Sequence, residues 1–389
     1  MKPAKQFKTP AIKLIYGYYM DKRKIVDLFC GAGGLSSGFD NYFETILGND
    51  NQDYMIDTFK HNFPNAISIL GDITKINIKD ELFKNGITQD EIFGVVGGPP
   101  CQGFSSVGNR MIDDPRNRLF KEFVKTVDQL QPNFFLMENV KGMQTMKNGF
   151  GELVINEIMD DFKNIGYNVA SKLLPAINYG VPQKRERFIF LGYRKDLNKI
   201  PEFPTETHNE INTLNNNKYI SLTVKDAISD LPILNPGESY ENKDYSNIPN
   251  TEYQKMLRGK NKIIFNHKAP SHSEYMVERI KRVPQGGNHK DLPNEYKLKK
   301  GYSNIYGRLS WDKPADTITA NCGCVSAPGR FIHPRDNRAI TVREAARLQS
   351  FPDSFKFFGN LNFQYKQVGN AVPPLLAKNI AQKIYEDLK

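Results

Sequence analysis

Residues 24–34 read Lys-Ile-Val-Asp-Leu-Phe-Cys-Gly-Ala-Gly-Gly, and the fold class can be predicted from this segment outward. The apolar run 24–29 predicts a buried β-strand, and the glycines that follow it predict a tight turn leading into a helix. In a doubly wound sheet such a turn lets a nucleotide-like ligand approach the backbone, although a glycine-rich turn alone is also an ordinary tight turn. The spacing G-x-G-x-x-G is absent, which argues against a dinucleotide.

Further apolar runs alternate with helical patterns up to residue 194 and again near the end of the chain. The predicted strands include one ending at 48–50 and others at 93–96, 134–137 and 187–192. The predicted helices are 53–62, 117–130, 342–349 and 374–388. This alternation predicts an α/β fold with a Rossmann-like, doubly wound, mainly parallel sheet that is covered on both faces.

Length and composition exclude several classes of protein. The chain has 389 residues, of which 39% are hydrophobic and 25% charged, as in ordinary soluble proteins. No apolar run approaches the roughly 18 residues of a membrane span. The N-terminus lacks the apolar stretch and cleavage site of a secretory signal, and four cysteines are too few for a disulfide framework. We therefore expect a cytoplasmic protein with no membrane partner.

The sequence pattern divides the chain into three parts. Residues 1–23 form a basic extension, 24–194 and 308–389 form the α/β domain, and 195–307 are predicted to be a smaller domain of irregular structure. The net charge is +10, and residues 253–300 alone carry 12 basic and 4 acidic side chains. This concentration favours a polyanionic partner, with a solvated lysine-rich surface as the alternative.

The segment GGPPCQGFS, residues 97–105, carries the most specific chemical signal. It places Cys101 just past a strand end and behind two rigid prolines, where an activated thiolate can project into a cleft. The alternative is a buried, inert cysteine. The two prolines and three glycines around Cys101 make core packing the poorer explanation.

Acidic and basic residues fall near other strand ends. Glu138 ends the strand that follows Pro132, and it is expected at the same sheet edge as Cys101. Arg185 and Arg187 enter a strand at positions i and i+2, so both are expected to point the same way and could anchor a carboxylate or a base edge. The alternatives are a surface carboxylate and a solvated charged face. Asp50 and Asp72 suit a ribose hydroxyl pair and an adenine amino group.

The ordered set of motifs resembles the DNA (cytosine-5)-methyltransferases, usually found in bacterial restriction–modification systems. The matching segments, in order, are DLFCGAGGLSSGF, GDI, GGPPCQGFS, ENV, QKRER, RLSWDKPADTITA and QVGNAVPP. They lie in 24–194 and 308–389 and leave out the middle domain. The resemblance implies a class I S-adenosylmethionine-dependent methyltransferase. Residues 195–307 resemble the family's target-recognition domain only by their position in the chain.

The resemblance also implies a role for each catalytic residue. Cys101 would be the nucleophile that adds to carbon 6 of cytosine. Glu138 would bind ring N3 and the exocyclic amine, for which a raised pKa is expected. Arg185 and Arg187 would hold the base and orient Glu138. No metal is expected, because Cys322-Gly323-Cys324 has neither a second cysteine pair nor a nearby histidine cluster.

Cofactor contacts carry over from the family by position. They are Phe29, Gly31, Ala32, Gly34, Asp50, Asp72, Ile73, Pro100, Leu119 and Asn370. Asn370 comes from the far end of the chain, so the last helix is expected beside the first strand.

The resemblance further implies that a cytosine is flipped out of double-stranded DNA and that the polar loop 105–118 closes over the DNA. In the middle domain, the segments 266–267, 271–272 and 286–289 are candidates for phosphate contacts and base readers. We expect a monomer and a cognate restriction endonuclease that acts separately.

Two other functions remain open. The same catalytic domain could methylate cytosine in transfer RNA, although the sizeable basic middle domain favours DNA. A catalytically inactive DNA-binding relative is the other, but such a copy would be expected to have lost Cys101, Glu138, Arg187 or Asn370.

Overall fold

The computed structural model describes residues 22–100, 119–209, 219–298 and 304–389. Cys101, the predicted loop 105–118 and most of the N-terminal extension therefore lie outside the described residues. None of the described helices is long and apolar enough to cross a membrane.

A seven-stranded sheet lies at the centre of the fold. Its strands are β1 (Arg23–Leu28), β2 (Phe43–Asp50), β3 (Ile67–Leu70), β4 (Ile92–Gly97), β5 (Phe134–Val140), β6 (Tyr167–Pro175) and β7 (Glu186–Arg194). They lie in the order β3-β2-β1-β4-β5-β7-β6. Strands β1 to β5 are parallel, whereas β7 is antiparallel to both of its neighbours. The predicted doubly wound, mainly parallel sheet is confirmed.

Helices cover both faces of this sheet. On one face they are α1 (Gly34–Phe39) and α11 (Pro374–Asp387), and on the other they are α3 (Ile78–Lys84), α4 (Leu119–Leu130) and α5 (Val154–Asn164). The other helices are α2 (Asp53–Asn62), α6 (Val224–Ile228), α7 (Glu252–Arg258), α8 (Glu274–Lys281), α9 (Val342–Leu348) and α10 (Leu361–Asn370). Ile25 packs with α1 and α11, whereas its neighbour Val26 packs with α3 and α4. This alternation explains the continuous apolar run in β1, since a strand covered on both sides buries every side chain.

The C-terminal helix lies beside the start of the chain. Ile380 and Ile384 of α11 share a buried cluster with Leu35 and Phe39 of α1, which directly follows β1. The end of the chain is therefore brought to the first strand, as expected from the position of Asn370.

The middle segment is irregular, with short helices and two-residue strands. These strands are β8 (His208–Asn209), β9 (Tyr219–Ile220), β10 (Lys243–Asp244) and β11 (Ile263–Ile264), and β12 (Gly307–Arg308) and β13 (Arg330–Ile332) follow. The apolar cores of this segment continue past residue 307: Val224 and Leu257 pack with Ala345 and Phe351. Buried ion pairs cross the same boundary, because Asp230 contacts Arg347 of α9.

Candidate active site

The turn after β1 is held in a strained but well-bonded conformation. Gly31 and Gly33 have positive φ values of 54° and 96°, which glycine adopts at little cost, whereas the φ of 55° at Phe29 is strained for a residue with a side chain. The Cys30 amide donates to the Asn49 carbonyl at 2.9 Å, and the Gly33 amide donates to the Cys30 carbonyl at 2.9 Å. The turn therefore presents its backbone at the carboxyl edge of the sheet, where doubly wound folds bind nucleotide-like ligands.

Asp50, at the end of β2, is anchored to this turn. Its Oδ2 accepts from the Gly31 amide and its Oδ1 from the Gln52 amide, both at 3.0 Å. Burial raises the pKa of Asp50, and these backbone hydrogen bonds oppose that rise. A carboxylate fixed in this way keeps lone pairs for further donors, as a pair of ribose hydroxyls would require.

Asp72 lies beyond β3 and is exposed. Its Oδ1 accepts from the amide of Thr74 at 3.0 Å and from the hydroxyl of Thr74 at 2.9 Å, and these bonds lower the pKa of Asp72. The neighbouring Ile73 is buried. The Asn49 side chain donates to the carbonyls of Ile69 and Gly71, both at 3.1 Å, which ties this loop to β2.

Asn370, the last residue of α10, is exposed and comes to the same edge of the sheet. A Cβ atom on Gly34 would lie 2.6 Å from the Val372 carbonyl oxygen and 2.9 Å from the Ala371 Cβ. Only glycine permits this approach, so the start of α1 lies directly against the residues that follow Asn370. The structure thus brings the turn, Asp50 and the Asn370 segment together.

A second group of residues lies at the ends of β4 and β5. The Asn139 side chain donates to the Pro99 carbonyl at 3.2 Å, and a Cβ atom on Gly98 would lie 2.9 Å from Glu138 Oε2. Glycine at 98 therefore makes room for the Glu138 carboxylate beside the segment that ends, among the described residues, at Pro100. Cys101 follows Pro100 in the chain and lies outside the described residues.

Glu138 forms an ion pair with Arg187. The Arg187 Nε lies 2.5 Å from Glu138 Oε1, and the two side chains are only 10% and 12% exposed. Burial raises the pKa of Glu138, and the positive charge of Arg187 opposes the rise. Burial lowers the pKa of Arg187 in turn. A raised pKa favours the protonated form of Glu138, which is the form that could donate a proton to a bound base.

Arg185 does not join this pair. Its side chain is 1% exposed, and its Nη1 and Nη2 donate to the carbonyls of Ile318 and Gly369, both at 2.8 Å. The expectation that Arg185 and Arg187 point the same way assumed that both lie in one strand. Because β7 begins at Glu186, that alternation does not extend to Arg185.

Asp27 is a buried acidic residue for which sequence reasoning assigned no role. It is 0% exposed, its Oδ2 accepts from Ser36 Oγ at 2.6 Å, and its Oδ1 has no hydrogen-bond partner among the described residues. Burial raises the pKa of Asp27 to about 7. An acidic residue within the apolar run of β1 is the sequence signal that could have found it.

The middle segment uses several of its candidate base readers for packing. His267 is buried, with Nδ1 2.9 Å from Thr341 Oγ1 and Nε2 3.0 Å from the Pro232 carbonyl. The Asn266 side chain donates to the Phe357 carbonyl at 2.8 Å. His272 Nε2 accepts from the Ala339 amide at 3.0 Å.

Basic residues of the middle segment are mostly on the surface. Within 253–298 the exposed ones are Lys255, Lys260, Lys262, Lys268, Lys281, Arg282, Lys290 and Lys297, whereas Arg258 and Arg279 are buried. Lys255, Lys281 and Arg282 pair with nearby glutamates. Within the ranges that the structure describes, no group of three or more His, Cys, Asp or Glu residues could hold a metal ion.

This fold, with a glycine turn and acidic strand ends at one sheet edge, is that of the class I S-adenosylmethionine-dependent methyltransferases. Residues 23–386 match the family described as C-5 cytosine-specific DNA methylase. The chain belongs to this family. It is therefore an enzyme that methylates cytosine in DNA, and its class uses S-adenosylmethionine as the methyl donor.

Curated relatives agree with this assignment. The chain is 40% identical over 373 residues to the Type II methyltransferase M1.HphI of Haemophilus parahaemolyticus, covering 95% of this chain and 88% of the relative. It is 38% identical over 379 residues to the Type II methyltransferase M.DdeI of Desulfomicrobium norvegicum, covering 92% and 88%.

Solved structures show the same fold. One is described as a DNA modification methyltransferase encoded within a prophage of E. coli. It superposes with a TM-score of 0.73 at 29% identity, covering 94% of this chain and 99% of that chain. Spodoptera frugiperda DNMT2 superposes with a TM-score of 0.58 at 19% identity, covering 94% and 100%, which shows a shared fold alone.

Proposed function

We propose that this enzyme methylates carbon 5 of a flipped-out cytosine within a specific duplex DNA sequence, through a covalent bond between Cys101 and carbon 6. The single observation that carries the proposal is the buried Glu138–Arg187 pair, which lies against Gly98 just before Pro99, Pro100 and Cys101. Nucleophilic addition to a pyrimidine requires a proton donor and a positive charge near the ring, and a buried glutamate paired with an arginine can supply both.

The reaction requires addition before methyl transfer, because carbon 5 of cytosine is a poor nucleophile. The Cys101 thiolate adds to carbon 6, and the electron pair moves onto the ring while N3 accepts the proton that Glu138 holds. Burial favours this protonated form of Glu138, as its raised pKa indicates. Carbon 5 would then take the methyl group from the sulfonium as the bond between sulfur and methyl breaks, and N3 would return its proton to Glu138. A base such as water would remove the proton from carbon 5, so that the electrons of that bond re-form the double bond between carbons 5 and 6 and Cys101 leaves as the thiolate.

Arg187 orients Glu138 and bears part of the charge that develops at the base. Its Nε faces Glu138 Oε1, and its Nη1 donates to the Glu186 carbonyl at 2.8 Å, which fixes the guanidinium at the start of β7. A preorganised donor in a site with little water stabilises developing charge more than it would in solution. Arg185 makes other contacts, so we assign the base-holding role to Arg187 alone.

The residues at the carboxyl edge of β1 to β3 fit S-adenosylmethionine. The turn at 29–34 exposes backbone for close approach, Asp50 keeps acceptor capacity for ribose hydroxyls, and Asp72 and Ile73 offer a polar and an apolar group for adenine. Ala32, Pro100, Leu119 and Asn370 would complete the site. The bound cofactor supplies an electrophilic methyl group on a sulfonium.

We propose that the middle segment recognises the target and that the three-part division of the chain, with boundaries at 23/24, 194/195 and 307/308, is functional. The exposed lysines between 255 and 297 support phosphate contacts along duplex DNA. A cytosine inside the duplex cannot reach Cys101, so the base must be flipped out, which costs a few kcal/mol. The loop 105–118 would close over it.

The names of the relatives support a role in restriction and modification. We propose that the protein acts as a monomer in the bacterial cytoplasm and protects DNA from a cognate restriction endonuclease that acts separately. The test is loss of this protection. DNA from cells that express the enzyme should resist that endonuclease, and DNA from cells that express a Cys101→Ala variant should be cut.

The covalent step is tested with Cys101→Ala and the matched variant Cys324→Ala, which removes an exposed cysteine elsewhere. Bisulfite sequencing of DNA from expressing cells should show methylated cytosines for the wild type and Cys324→Ala, and none for Cys101→Ala. Duplex DNA with 5-fluorocytosine at the target should form a covalent adduct at Cys101. Retained turnover in Cys101→Ala would overturn the mechanism, and methylation of transfer RNA without methylation of duplex DNA would favour the RNA alternative.

A further inference from the structure

Arg185 is a buried cation without a carboxylate partner among the described residues. Its guanidinium donates to the carbonyls of Ile318 and Gly369, and its buried Nε has no hydrogen-bond partner within the described ranges. The buried Arg338 and Arg347, by contrast, pair with carboxylates. Burying a charge without an opposite charge beside it costs free energy. This cost favours a role of Arg185 beyond packing.

One of the two carbonyls that Arg185 holds belongs to Gly369, the residue directly before Asn370. On the other side of Asn370, the carbonyl of the next residue, Ala371, accepts from the Gln349 side chain at 2.7 Å. Gln349 Oε1 in turn accepts from Gln183 Nε2 at 2.5 Å. The peptide group directly before Asn370 is therefore fixed by Arg185, and the carbonyl of the residue after Asn370 is fixed by Gln349, which Gln183 of the same short segment holds.

The same short segment also leads into the base side of the site. The Lys184 amide donates to the Ala315 carbonyl at 2.8 Å, and Gln183 Oε1 accepts from the Ile318 amide at 2.8 Å. Two residues beyond Arg185, Arg187 contacts Glu138. Residues 183–187 thus contact the Asn370 segment at one end and the Glu138 carboxylate at the other.

We infer that Arg185 is a positioning residue for the cofactor, which sets the orientation of Asn370 through the Gly369 carbonyl rather than touching the base. The inference rests on the proposed function, because it takes Asn370 to contact S-adenosylmethionine. The two arginines of this segment would then serve different substrates: Arg185 positions Asn370 for the methyl donor, and Arg187 acts at the cytosine.

The test is a double-mutant cycle on the full chain, read as the affinity for S-adenosylmethionine by isothermal titration calorimetry. The variants are Arg185→Met, Asn370→Ala and the double variant. Each single change should weaken binding by about tenfold, and the double variant should be scarcely weaker than either, because Arg185 acts through Asn370. Arg187→Met is the matched control. It should lower kcat while leaving this affinity within about twofold, since Arg187 contacts neither Ile318 nor Gly369.

Independent effects, with a loss of about a hundredfold in the double variant, would overturn the positioning role and leave the proposed function intact. Unchanged affinity in Asn370→Ala would instead remove Asn370 from the cofactor site, and the positioning role with it. If Arg185→Met does not fold, Gln349→Leu replaces it in the cycle, since this change frees the Ala371 carbonyl on the other side of Asn370. The same non-additivity is expected, and additivity would again overturn the inference.

Discussion

Glu138 and Arg187 meet because they come from strands of opposite direction. Glu138 lies near the carboxyl end of β5, Arg187 lies near the amino end of the antiparallel β7, and the register pairs Arg187 with Val140. An arginine that begins one strand is thereby brought to a glutamate that ends its neighbour. A fully parallel sheet would place these two ends at opposite edges.

Replacing Glu138 by glutamine should remove both the activity and part of its pH dependence. The proposed role needs the protonated carboxyl group, so the wild-type rate should fall as the pH rises through the raised pKa of Glu138. Glu138→Gln cannot transfer a proton, and its kcat should be lower by about a hundredfold or more, with that alkaline fall absent. Tritiated methyl transfer to a DNA substrate across a pH series measures both effects.

The matched control for this change is Glu186→Gln. Glu186 is next to Arg187 but pairs with the exposed Lys141. Its replacement should leave both kcat and the pH profile close to those of the wild type. An unaltered alkaline limb in Glu138→Gln would show that another group titrates there.

Asp27 should make the fold less stable as the pH rises. Its pKa is about 7 in the folded protein against 3.8 for the unperturbed group. The unfolded chain therefore loses this proton at a lower pH than the folded protein does. As a result, Asp27 lowers the free energy of unfolding progressively from about pH 4 to pH 7, and by a constant amount above pH 7. Asp27→Asn cannot ionise, so its advantage in free energy of unfolding should grow over this range, by an amount on the order of 4 kcal/mol.

Urea unfolding at pH 4, 5.5, 7 and 8 tests this prediction. Asp90→Asn, which changes an exposed carboxylate, should run parallel to the wild type across the series. A constant difference between Asp27→Asn and the wild type would mean that the pKa of Asp27 is the same in the folded and the unfolded chain.

The sheet was predictable from sequence because its pattern is local. The apolar runs of β1, β4 and β5 and the glycines after β1 each indicate structure without distant contacts, and helix 53–62 was predicted with its observed bounds. Helices 342–349 and 374–388 end one residue earlier than expected, at Leu348 and Asp387.

The contacts of individual polar side chains were less predictable, because distant segments decide them. Arg185 faces carbonyls at 318 and 369, and His267 is buried against Thr341, so no pattern near either residue encodes its partner. The role of Cys101 stays a prediction from sequence, since it lies outside the described residues.

The Thr58 hydroxyl should stabilise the contact between α2 and the end of the chain. It donates to Gln367 Oε1 at 2.7 Å and accepts from the Phe358 amide at 2.9 Å, and Thr58 is fully buried. Thr58→Val keeps the shape but leaves both groups unpaired. The expected loss in free energy of unfolding is about 2 to 4 kcal/mol, measured by urea denaturation.

Thr145→Val is a suitable comparison, because Thr145 is exposed and its hydroxyl makes a single 3.4 Å contact with the Gly142 carbonyl. It should change the stability by less than about 0.5 kcal/mol. Equal losses in the two variants would mean that the Thr58 hydrogen bonds contribute nothing specific.

DNA binding by the middle segment should depend steeply on salt. If the enzyme contacts six or more phosphates, its affinity for duplex DNA should fall by about a thousandfold or more between roughly 50 and 200 mM salt.

Lys260 and Lys262 are exposed and precede β11. Changing both to alanine should weaken binding to all duplexes alike and reduce the salt slope by about two. Lys84→Ala, which removes an exposed lysine from α3 that pairs with Glu81, should leave the slope unchanged. Fluorescence anisotropy with a labelled duplex gives the slope directly, and a flat response to salt would show that the positive charge between 253 and 300 does not face DNA.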